Sequence, residues 1–440
     1  MKIRFLLLST LALVLFSASD AQVVHDLTDC VRTGLEKNFS LLVTRNNEAI
    51  SNNNFTPGNA GFLPSLDLAA KQSGTLNDSR QNNSDGTQVN SNGVFNTTSY
   101  GSASLGWTIF NGFNVQTTYK KLNELKQIGE LNTQMTVENL IADIISGYYN
   151  CILQVQLLKN KKYAVALSRE RLRIDEDRYL LGSGSKLQVL QSRVYFNTDS
   201  SNYAMQNEVV RAAKIKLNEM MAVDDPGELF ISKDTSIILG QQLLYERLLD
   251  EMLTKNTSLL IASKNKIISE YDYKIIKSRS YPYMNLSSGY NYYYNTYTDN
   301  TIKNLTTNGM NYGVTVGINV FDGMNQRRNI RNSTIDIKNN ELKYNEIQQG
   351  VKADLITIYN AYTNYLRLIS LEEQNLQTAT ENLEIAMDRY KLGSLSGLDL
   401  REVQKSLLDA KESLLTVEYQ AKLAEISLML ISGRIMDYYK

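Results

Sequence analysis

The stretch WTIFNGFNVQ, residues 107–116, has the same pattern as the stretch INVFDGMNQR, residues 318–327. In each, a Phe is followed by Asn-Gly or Asp-Gly and then by a polar segment typical of a helix start. The two stretches lie 211 residues apart, and so do RYLLGSGS, from Arg178, and RYKLGSLS, from Arg389. Because chance matches would not share one offset, the sequence predicts an internal duplication of roughly two hundred residues.

A third pair of segments supports the duplication. FLPSLDL, from Phe62, resembles SYPYMNL, from Ser280, at an offset of 218 residues. The first copy therefore has about seven more residues between its Pro and its Phe-Asn-Gly, as an extended loop would add.

The N-terminal segment, MKIRFLLLSTLALVLFSASDAQ, predicts an exported protein. Lys2 and Arg4 precede an apolar run from Phe5 to Phe16, and small residues follow. This order predicts a signal peptide over residues 1–21, because the apolar run is too short to span a membrane.

Composition argues against several function classes. Lys plus Arg and Asp plus Glu are balanced at 46 each, so nothing favours binding to nucleic acid. His25 is the only histidine, and no nucleophile–base or metal-ligand pattern appears, so we expect no enzyme, no metal site and no cofactor. Cys30 and Cys151 lie on apolar helix faces and are interpreted as two buried thiols, with a disulfide as the alternative.

The rest of the chain favours very long helices. The four prolines leave residues 65–225 and 283–440 without any, which permits uninterrupted helices. Two helical hairpins are predicted, over about 113–222 and about 323–432, each turning at a Gly-containing tip. A seam of apolar residues at alternating three- and four-residue spacing indicates a coiled coil, with a plain helical bundle as the alternative. The seam residues are Leu407, Ala410, Leu414, Val417, Ala421, Ala424, Leu428 and Ile431.

Before each hairpin the spacing of apolar residues changes from a seven-residue repeat to every second residue. Strands are predicted over about 63–111 and about 281–321, two in each copy, of roughly ten residues each. Residues 77–93 are almost entirely polar and predict a long solvated loop. Such strands suit a membrane β-barrel, with a soluble sandwich as the alternative. Four strands cannot close a barrel, and an open edge cannot lie in lipid, so the membrane interpretation requires two, three or more copies.

The ordered set of strand, strand, long helix, Arg-Tyr-x-x-Gly tip and returning helix, present twice, resembles the TolC-like outer membrane efflux proteins. The resemblance implies an α+β membrane protein in which a homotrimeric, twelve-stranded outer-membrane β-barrel, with four strands per chain, continues as an α-helical coiled-coil tunnel through the periplasm. It also implies the exit duct of a tripartite efflux or type I secretion system, joined by a periplasmic adaptor (membrane fusion) protein to an inner-membrane pump of RND or ABC type. The alternative is a periplasmic coiled-coil scaffold or adaptor without a channel.

The resemblance also fixes an expected domain division. Residues 22–222 form the first repeat, 223–244 a linking equatorial segment, and 245–440 the second repeat, which starts with a helix over about 245–279. Asn111-Gly112 and Asp322-Gly323 are predicted to be the joints where a strand becomes a helix. Asn and Asp cap free helix N–H groups there, and Gly permits the bend.

Two further sets of residues take their expected roles from the resemblance. The tips are expected to contact the adaptor through Arg178, Tyr179, Gly182, Arg389, Tyr390 and Gly393. Asp399 and Glu402, three residues apart on one helix face, are expected to form with Tyr390 the pore constriction, where three copies would place six carboxylates.

One departure concerns the closed-state latch of the family. That latch joins the second-tip Tyr to an acid of the first copy and uses an Arg of the second tip. Here Gln188 and Leu395 stand at those two positions. The sequence therefore leaves open whether a latch exists.

Overall fold

The computed structural model describes residues 24–228, 230–240, 242–298 and 301–438, so the predicted signal peptide lies outside the described residues. The helices are α1 (Leu27–Lys37), α2 (Phe39–Asn54), α3 (Pro57–Ala60), α4 (Asn114–Leu180), α5 (Lys186–Met221), α6 (Tyr245–Lys255), α7 (Thr257–Ser278), α8 (Asn325–Lys391) and α9 (Gly397–Ile431), followed by a 3₁₀ turn at Ile435–Tyr438. The strands are β1 (Val24–His25), β2 (Ser65–Asn82), β3 (Gln88–Asn111), β4 (Ile231–Ser232), β5 (Tyr283–Thr296) and β6 (Asn304–Gly317).

The chain divides into two compact units. The sheet unit consists of Asn46–Asn132 and Leu260–Ile347. The helical unit consists of the chain up to Arg45, Thr133–Leu259 and the chain from Gln348 onward.

The sheet unit is built on one antiparallel sheet of four strands in the order β2-β3-β5-β6. β3 and β5 are central and pair from Thr97↔Thr296 to Asn111↔Tyr283. β2 and β6 are the two edges, and each pairs with one strand of the described chain. Each edge strand therefore keeps one row of backbone N–H and C=O groups unpaired within the chain.

The polar segment 77–93 is not the predicted loop. β2 and β3 continue through it as a two-stranded ribbon, and only residues 83–87 turn. The Asn83 N–H donates to the Thr87 carbonyl at 2.9 Å, and Gly86 supplies the positive φ of 83°. The prediction was wrong because polarity reports solvent exposure, whereas antiparallel pairing satisfies the backbone whichever side chains project from it.

The strand predicted to reach residue 321 ends at Gly317. β3, its counterpart, continues to Asn111 because it lies between two strands and pairs there with the start of β5. β6 has β5 alone as a partner, and β5 begins at Tyr283, opposite Gly317. Residues 318–321 thus have no strand beside them in the described chain.

The ends of the two helical hairpins lie within two residues of the predicted bounds, 113–222 and 323–432. α4 and α8 each contain 67 residues. Each begins after its predicted first residue because Phe113 and Met324 have left-handed φ angles of 67° and 69°. Among the described residues, no helix is both long enough and apolar enough to cross a membrane.

The main core of the helical unit contains both cysteines. Cys30 on α1 and Cys151 on α4 are buried in one cluster with Ile141, Ile145 and Leu217. Both are free thiols. Burial raises the pKa of each thiol to about 12. The interpretation as two buried thiols is therefore confirmed.

A matched pair of caps shows the same local geometry at two places in the helical unit. Asn38 donates from its side chain to the Met220 carbonyl, and Asn256 donates to the Ile431 carbonyl, each at 2.9 Å. These caps lie in KNFSLL, from Lys37, and KNTSLL, from Lys255, which are 218 residues apart. This repeat was not predicted, although its offset equals that of the Pro segments.

Candidate functional site

The two strand-to-helix joints have nearly the same backbone. Asn111 accepts a hydrogen bond from the Val115 N–H at 3.2 Å, and Asp322 accepts one from the Gln326 N–H at 2.7 Å. Gly112 and Gly323 follow with φ angles of 66° and 69°, a region that disfavours residues with a side chain. The polar residue therefore caps the long helix, and the glycine turns the chain into it.

The surroundings of the two joints differ. A Cβ on Gly112 would collide with the carbonyl of Ser278 and would lie 2.9 Å from the Cβ of Tyr281. A Cβ on Gly323 would find its nearest neighbour, the side-chain nitrogen of Asn325, at 3.8 Å. The first joint is thus packed against the segment before β5, whereas the corresponding face of the second joint is open among the described residues.

Each hairpin tip turns at a glycine with positive φ. Gly182 and Gly393 have φ angles of 76° and 79°. The N–H of the next residue, a serine in both tips, donates to the carbonyl of Arg178 at 2.9 Å or of Arg389 at 3.0 Å. These bonds satisfy carbonyls at the helix end, so the glycines act as C-terminal caps.

The two tip tyrosines have different environments. Tyr179 is 46% exposed, whereas Tyr390 is 2% exposed. Arg389, Gly182 and Gly393 are exposed as well. Tyr390 lies inside the tip and is almost fully shielded from solvent.

Tyr390 belongs to a buried polar cluster that we call the tip clasp: Tyr390, Asp175, Ser192 and Arg171. The Tyr390 hydroxyl donates to one carboxylate oxygen of Asp175, and the Ser192 hydroxyl donates to the other. The Arg171 Nε lies 3.8 Å from Asp175 Oδ2. All four side chains are buried. Burial, together with the bond to Asp175, raises the pKa of Tyr390 to about 12.

Two further residues complete the packing of the clasp. The Arg178 guanidinium lies over the Tyr390 ring, 4.8 Å from its centroid, and donates to the Tyr390 carbonyl. A Cβ at Gly397 would lie 2.7 Å from the Arg171 guanidinium, so this glycine makes room for it. Within the part of the chain that the structure describes, Nε and Nη1 of Arg171 have no hydrogen-bond partner.

A second contact between the hairpins lies next to the clasp. Arg401 on α9 makes a bidentate ion pair with Asp199 on α5, at 2.8 and 2.9 Å. The Tyr195 ring contacts two guanidinium groups, those of Arg171 and Arg401, each 5.0 Å from its centroid. The hydrogen bonds with Asp199 raise the pKa of Arg401, so the guanidinium stays charged.

The acid that binds Tyr390 is not at the position from which the family latch takes it. Gln188 instead forms a capping box with Ser185 at the start of α5. Asp175 lies on the other helix of the hairpin, α4, and the sequence analysis missed it. A signal existed: Arg171, Asp175 and Arg178 follow the four- and three-residue spacing of a coiled-coil seam, yet all three are charged.

The acidic pair lies at the start of α9. Asp399 accepts a 2.7 Å hydrogen bond from the Ser396 hydroxyl, and its N–H donates to that hydroxyl at 3.1 Å. Asp399 and Glu402 are both exposed, so Asp399 serves the helix start and still presents its charge to solvent. Over the described residues, no group of three or more His, Cys, Asp or Glu side chains is arranged to hold a metal ion.

Comparison with known families identifies the chain. Residues 31–223 and residues 248–434 each match the model of the outer membrane efflux protein family. The chain belongs to this family. Its members are outer membrane efflux proteins, which transport substrates and are not a family of enzymes.

Solved structures support the same fold. The chain is similar to CusC, with 16% identity, 94% of this chain and 93% of that chain covered, and a TM-score of 0.75. It is also similar to the CmeC outer membrane channel of Campylobacter jejuni, with 13% identity, 93% of this chain and 85% of that chain covered, and a TM-score of 0.76. For the outer membrane protein VceC of Vibrio cholerae the identity is 14%, the coverage is 92% of this chain and 96% of that chain, and the TM-score is 0.74. No curated protein matches the chain by sequence. The resemblance to TolC-like outer membrane efflux proteins is confirmed. Because the sequence identities to these solved structures are low, the structures establish only that the fold is shared.

Proposed function

We propose that the protein is the outer-membrane exit duct of a tripartite efflux or type I secretion system. Three chains of four strands would form a twelve-stranded barrel, and the helical hairpins would form a tunnel extending into the periplasm. Substrates would move passively through this duct, with energy supplied by an inner-membrane pump of RND or ABC type. Residues 1–21 would direct export and be removed.

The observation that carries the proposal is the four-stranded sheet with two unpaired edges. In lipid, the unpaired backbone groups of β2 and β6 would have no partners, and only a closed barrel satisfies them. Pairing of β6 with β2 of the next copy, repeated around three copies, would close the sheet. Barrels in bacterial outer membranes have an even number of strands from eight upward, and twelve satisfies this condition.

The internal repeat indicates how the copies meet. Within the chain, Leu105 on β3 pairs with Ser288 on β5. Shifting these residues by the repeat offsets gives Val316 on β6 and Ala70 on β2, so Val316 of one copy is expected to pair with Ala70 of the next. In the same register, β2 of the next copy would lie beside residues 318–321, which have no partner strand within the described chain.

The open face of the second joint, at Gly323, is consistent with the same pairing of neighbouring copies. The segment that packs on Gly112 begins at Ser278, and its equivalent at the 218-residue offset begins at Ala60. We therefore expect Ala60 of the next copy to lie against Gly323. An internal duplication, with repeats at 22–222 and 245–440 joined by 223–244, would explain why one chain supplies both halves of this contact.

We infer that the exposed parts of the tips bind the periplasmic adaptor. Arg178, Tyr179, Gly182, Arg389 and Gly393 lie at or next to the two turns, and Leu180, Leu181 and Leu392 are exposed beside them. Exposed apolar side chains around a polar turn are typical of a protein interface. Tyr390, buried under Arg178, would position the second tip and the nearby Asp399 and Glu402, which would line the constriction.

Single-channel recording tests the proposal. The purified protein in a planar bilayer should conduct ions and prefer cations, because six carboxylates would surround the narrow end. Asp399→Ala with Glu402→Ala should remove cation preference and block by multivalent cations. Gln188→Ala with Gln191→Ala, at the equivalent positions of the first hairpin, is the matched control and should change neither. A folded protein without conductance would contradict the duct, and unchanged selectivity in the acid variant would contradict the constriction.

A further inference from the structure

A cleft of about 900 Å³ lies beside the second joint, in the sheet unit. We call it the basic cleft. It lies between the segment before β5 and the first turns of α8, and its lining includes Arg279, Arg327, Arg331, Ile318 and Val320. The three arginines and the two apolar residues are exposed.

The charge of the basic cleft is strongly positive. Asp322 is the acidic residue among its described lining, and its carboxylate already accepts the helix-capping bond from the Gln326 N–H at 2.7 Å. Guanidinium groups bind phosphate through paired hydrogen bonds and are less strongly hydrated than ammonium groups. Three of them lining one cleft therefore favour an anionic ligand with several oxygen acceptors.

The equivalent place in the first repeat carries one basic residue, Lys120, where the basic cleft has three arginines, and aromatic side chains pack there. There the Tyr119 ring packs edge-on against Phe62, with centroids 5.8 Å apart, and stacks on Phe55 at 4.7 Å. The positions that correspond to Arg279 and Arg327 are Gly61 and Gln116. The basic cleft is thus a property of the second repeat and is not a general consequence of the joint.

A neighbouring copy is not expected to cover the arginines. In the first repeat, Gln116 and Lys120 remain exposed although the segment from Ser278 packs on the joint beside them. Arg327 and Arg331 are their equivalents at the 211-residue offset. If the next copy packs on the second joint in the same way, these two guanidinium groups remain open.

The apolar face of β6 leads directly to the basic cleft. Tyr312, Val314 and Val316 are exposed on one face of the strand, and Ile318 and Val320 continue that row to the arginines. In a membrane barrel such a row contacts lipid acyl chains. The cleft then lies at the end of the apolar row, at the depth of lipid headgroups, where basic pockets bind anionic lipids.

We propose that the basic cleft binds the phosphate headgroup of an anionic phospholipid, whose acyl chains lie along the apolar face of β6. This site rests on the proposed function, because it requires the sheet to be embedded in a membrane. Arg279, Arg327 and Arg331 hold the phosphate, and Ile318 and Val320 contact the upper parts of the chains.

The test is native mass spectrometry of the full protein in detergent, titrated with phosphatidylglycerol. The double variant Arg327→Gln with Arg331→Gln should bind phosphatidylglycerol about thirtyfold more weakly. Each basic side chain near an anionic surface contributes a similar favourable free energy of binding, and this variant removes two of them. Arg328→Gln is the matched control, because Arg328 is exposed on the same helix turn but does not line the cleft. It should bind like the parent.

Four results would overturn the site. The double variant could bind phosphatidylglycerol like the parent, or the Arg328 control could lose binding equally. Inorganic phosphate could displace the lipid at equal concentration, which would indicate a free-anion site. Finally, Arg327→Cys could react with a charged maleimide in separated chains but not in the assembly, which would show that a second copy covers the cleft.

Flotation with phosphatidylglycerol vesicles separates this inference from the proposed function. A parent protein that does not float with vesicles contradicts the membrane duct, and with it the lipid site. A parent protein that floats, together with a double variant that retains the parent's lipid affinity, contradicts the lipid site alone.

Discussion

Tyr390 donates its hydroxyl hydrogen to Asp175, a residue 215 positions earlier in the sequence, and both side chains are buried. The bond joins α8 to α4, and so joins the second hairpin to the first, next to the turns. A buried carboxylate is stable only when its oxygens are hydrogen-bonded and its charge is balanced. Ser192 donates a second hydrogen bond to the Asp175 carboxylate, and Arg171 supplies the opposite charge, so the tip clasp acts as one unit.

Tyr390→Phe should destabilise the helical unit by about 1.5–3 kcal/mol, the usual cost of losing a hydrogen bond to a charged group. Asp175→Asn should cost more, about 3–5 kcal/mol, because Arg171 would remain buried without its counter-charge. The free energies of unfolding of both variants and of the double variant measure the coupling. Tyr179→Phe, in the exposed equivalent position, is the control and should change little. Additive effects would contradict a direct bond.

The tip clasp should weaken at alkaline pH. The pKa of Tyr390 is raised to about 12, above the usual value of about 10, so folding favours the protonated hydroxyl. Its contribution is therefore fully present below about pH 10 and is lost as the pH rises towards about 12. The difference in Tm between the parent and Tyr390→Phe should shrink over this range. A difference that stays constant to pH 12 would exclude a raised pKa.

Both native thiols should be unreactive in the folded protein. Burial raises the pKa of Cys30 and of Cys151 to about 12, so almost no thiolate is present at neutral pH. Alkylation should be slow in the native protein and should label both residues after unfolding without a reductant. Ser183→Cys, at an exposed tip position, gives the rate of a free thiol. Failure to label either native cysteine after unfolding would instead indicate a disulfide.

The two joint glycines should respond differently to substitution. Gly112→Ala and Gly323→Ala both place a side chain at a positive φ, which costs roughly 1–2 kcal/mol. Only the first also collides with the Ser278 carbonyl inside the chain. Gly112→Ala should therefore reduce the yield of folded protein. Gly323→Ala should fold but assemble poorly, as measured by native mass spectrometry. Equal effects on folding would contradict the proposed contact with a second copy.

Much of the fold could be predicted from local sequence signals. The helix starts, the glycine tips and the two strand pairs follow from periodicity, capping residues and glycine positions, all of which act over short distances along the chain. The strand ends could not be predicted in this way. Whether 318–321 or 77–93 forms a strand depends on which other strand lies beside it, and the side-chain pattern does not contain that information.

The candidate site was only partly predictable for a similar reason. The positions of Gly182, Gly393 and the two joints were found because backbone conformation requires those residue types. The tip clasp was missed because Asp175 and Tyr390 lie far apart in the sequence and meet only when two hairpins pack. Charged residues at coiled-coil seam positions, such as Arg171 and Asp175, indicate such buried networks.

In the proposed assembly, copies of the chain close one barrel through pairing of β6 with β2. Val316→Cys with Ala70→Cys, in a protein lacking Cys30 and Cys151, tests it directly, since paired residues of adjacent strands have Cβ atoms about 4.5–5.5 Å apart. Val316→Cys with Ala69→Cys is the control, because a shift of one residue places the side chains on opposite faces. A short thiol cross-linker should give covalent trimers, and nothing larger, with the first pair only. Monomers alone, or an unlimited ladder of products, would contradict it.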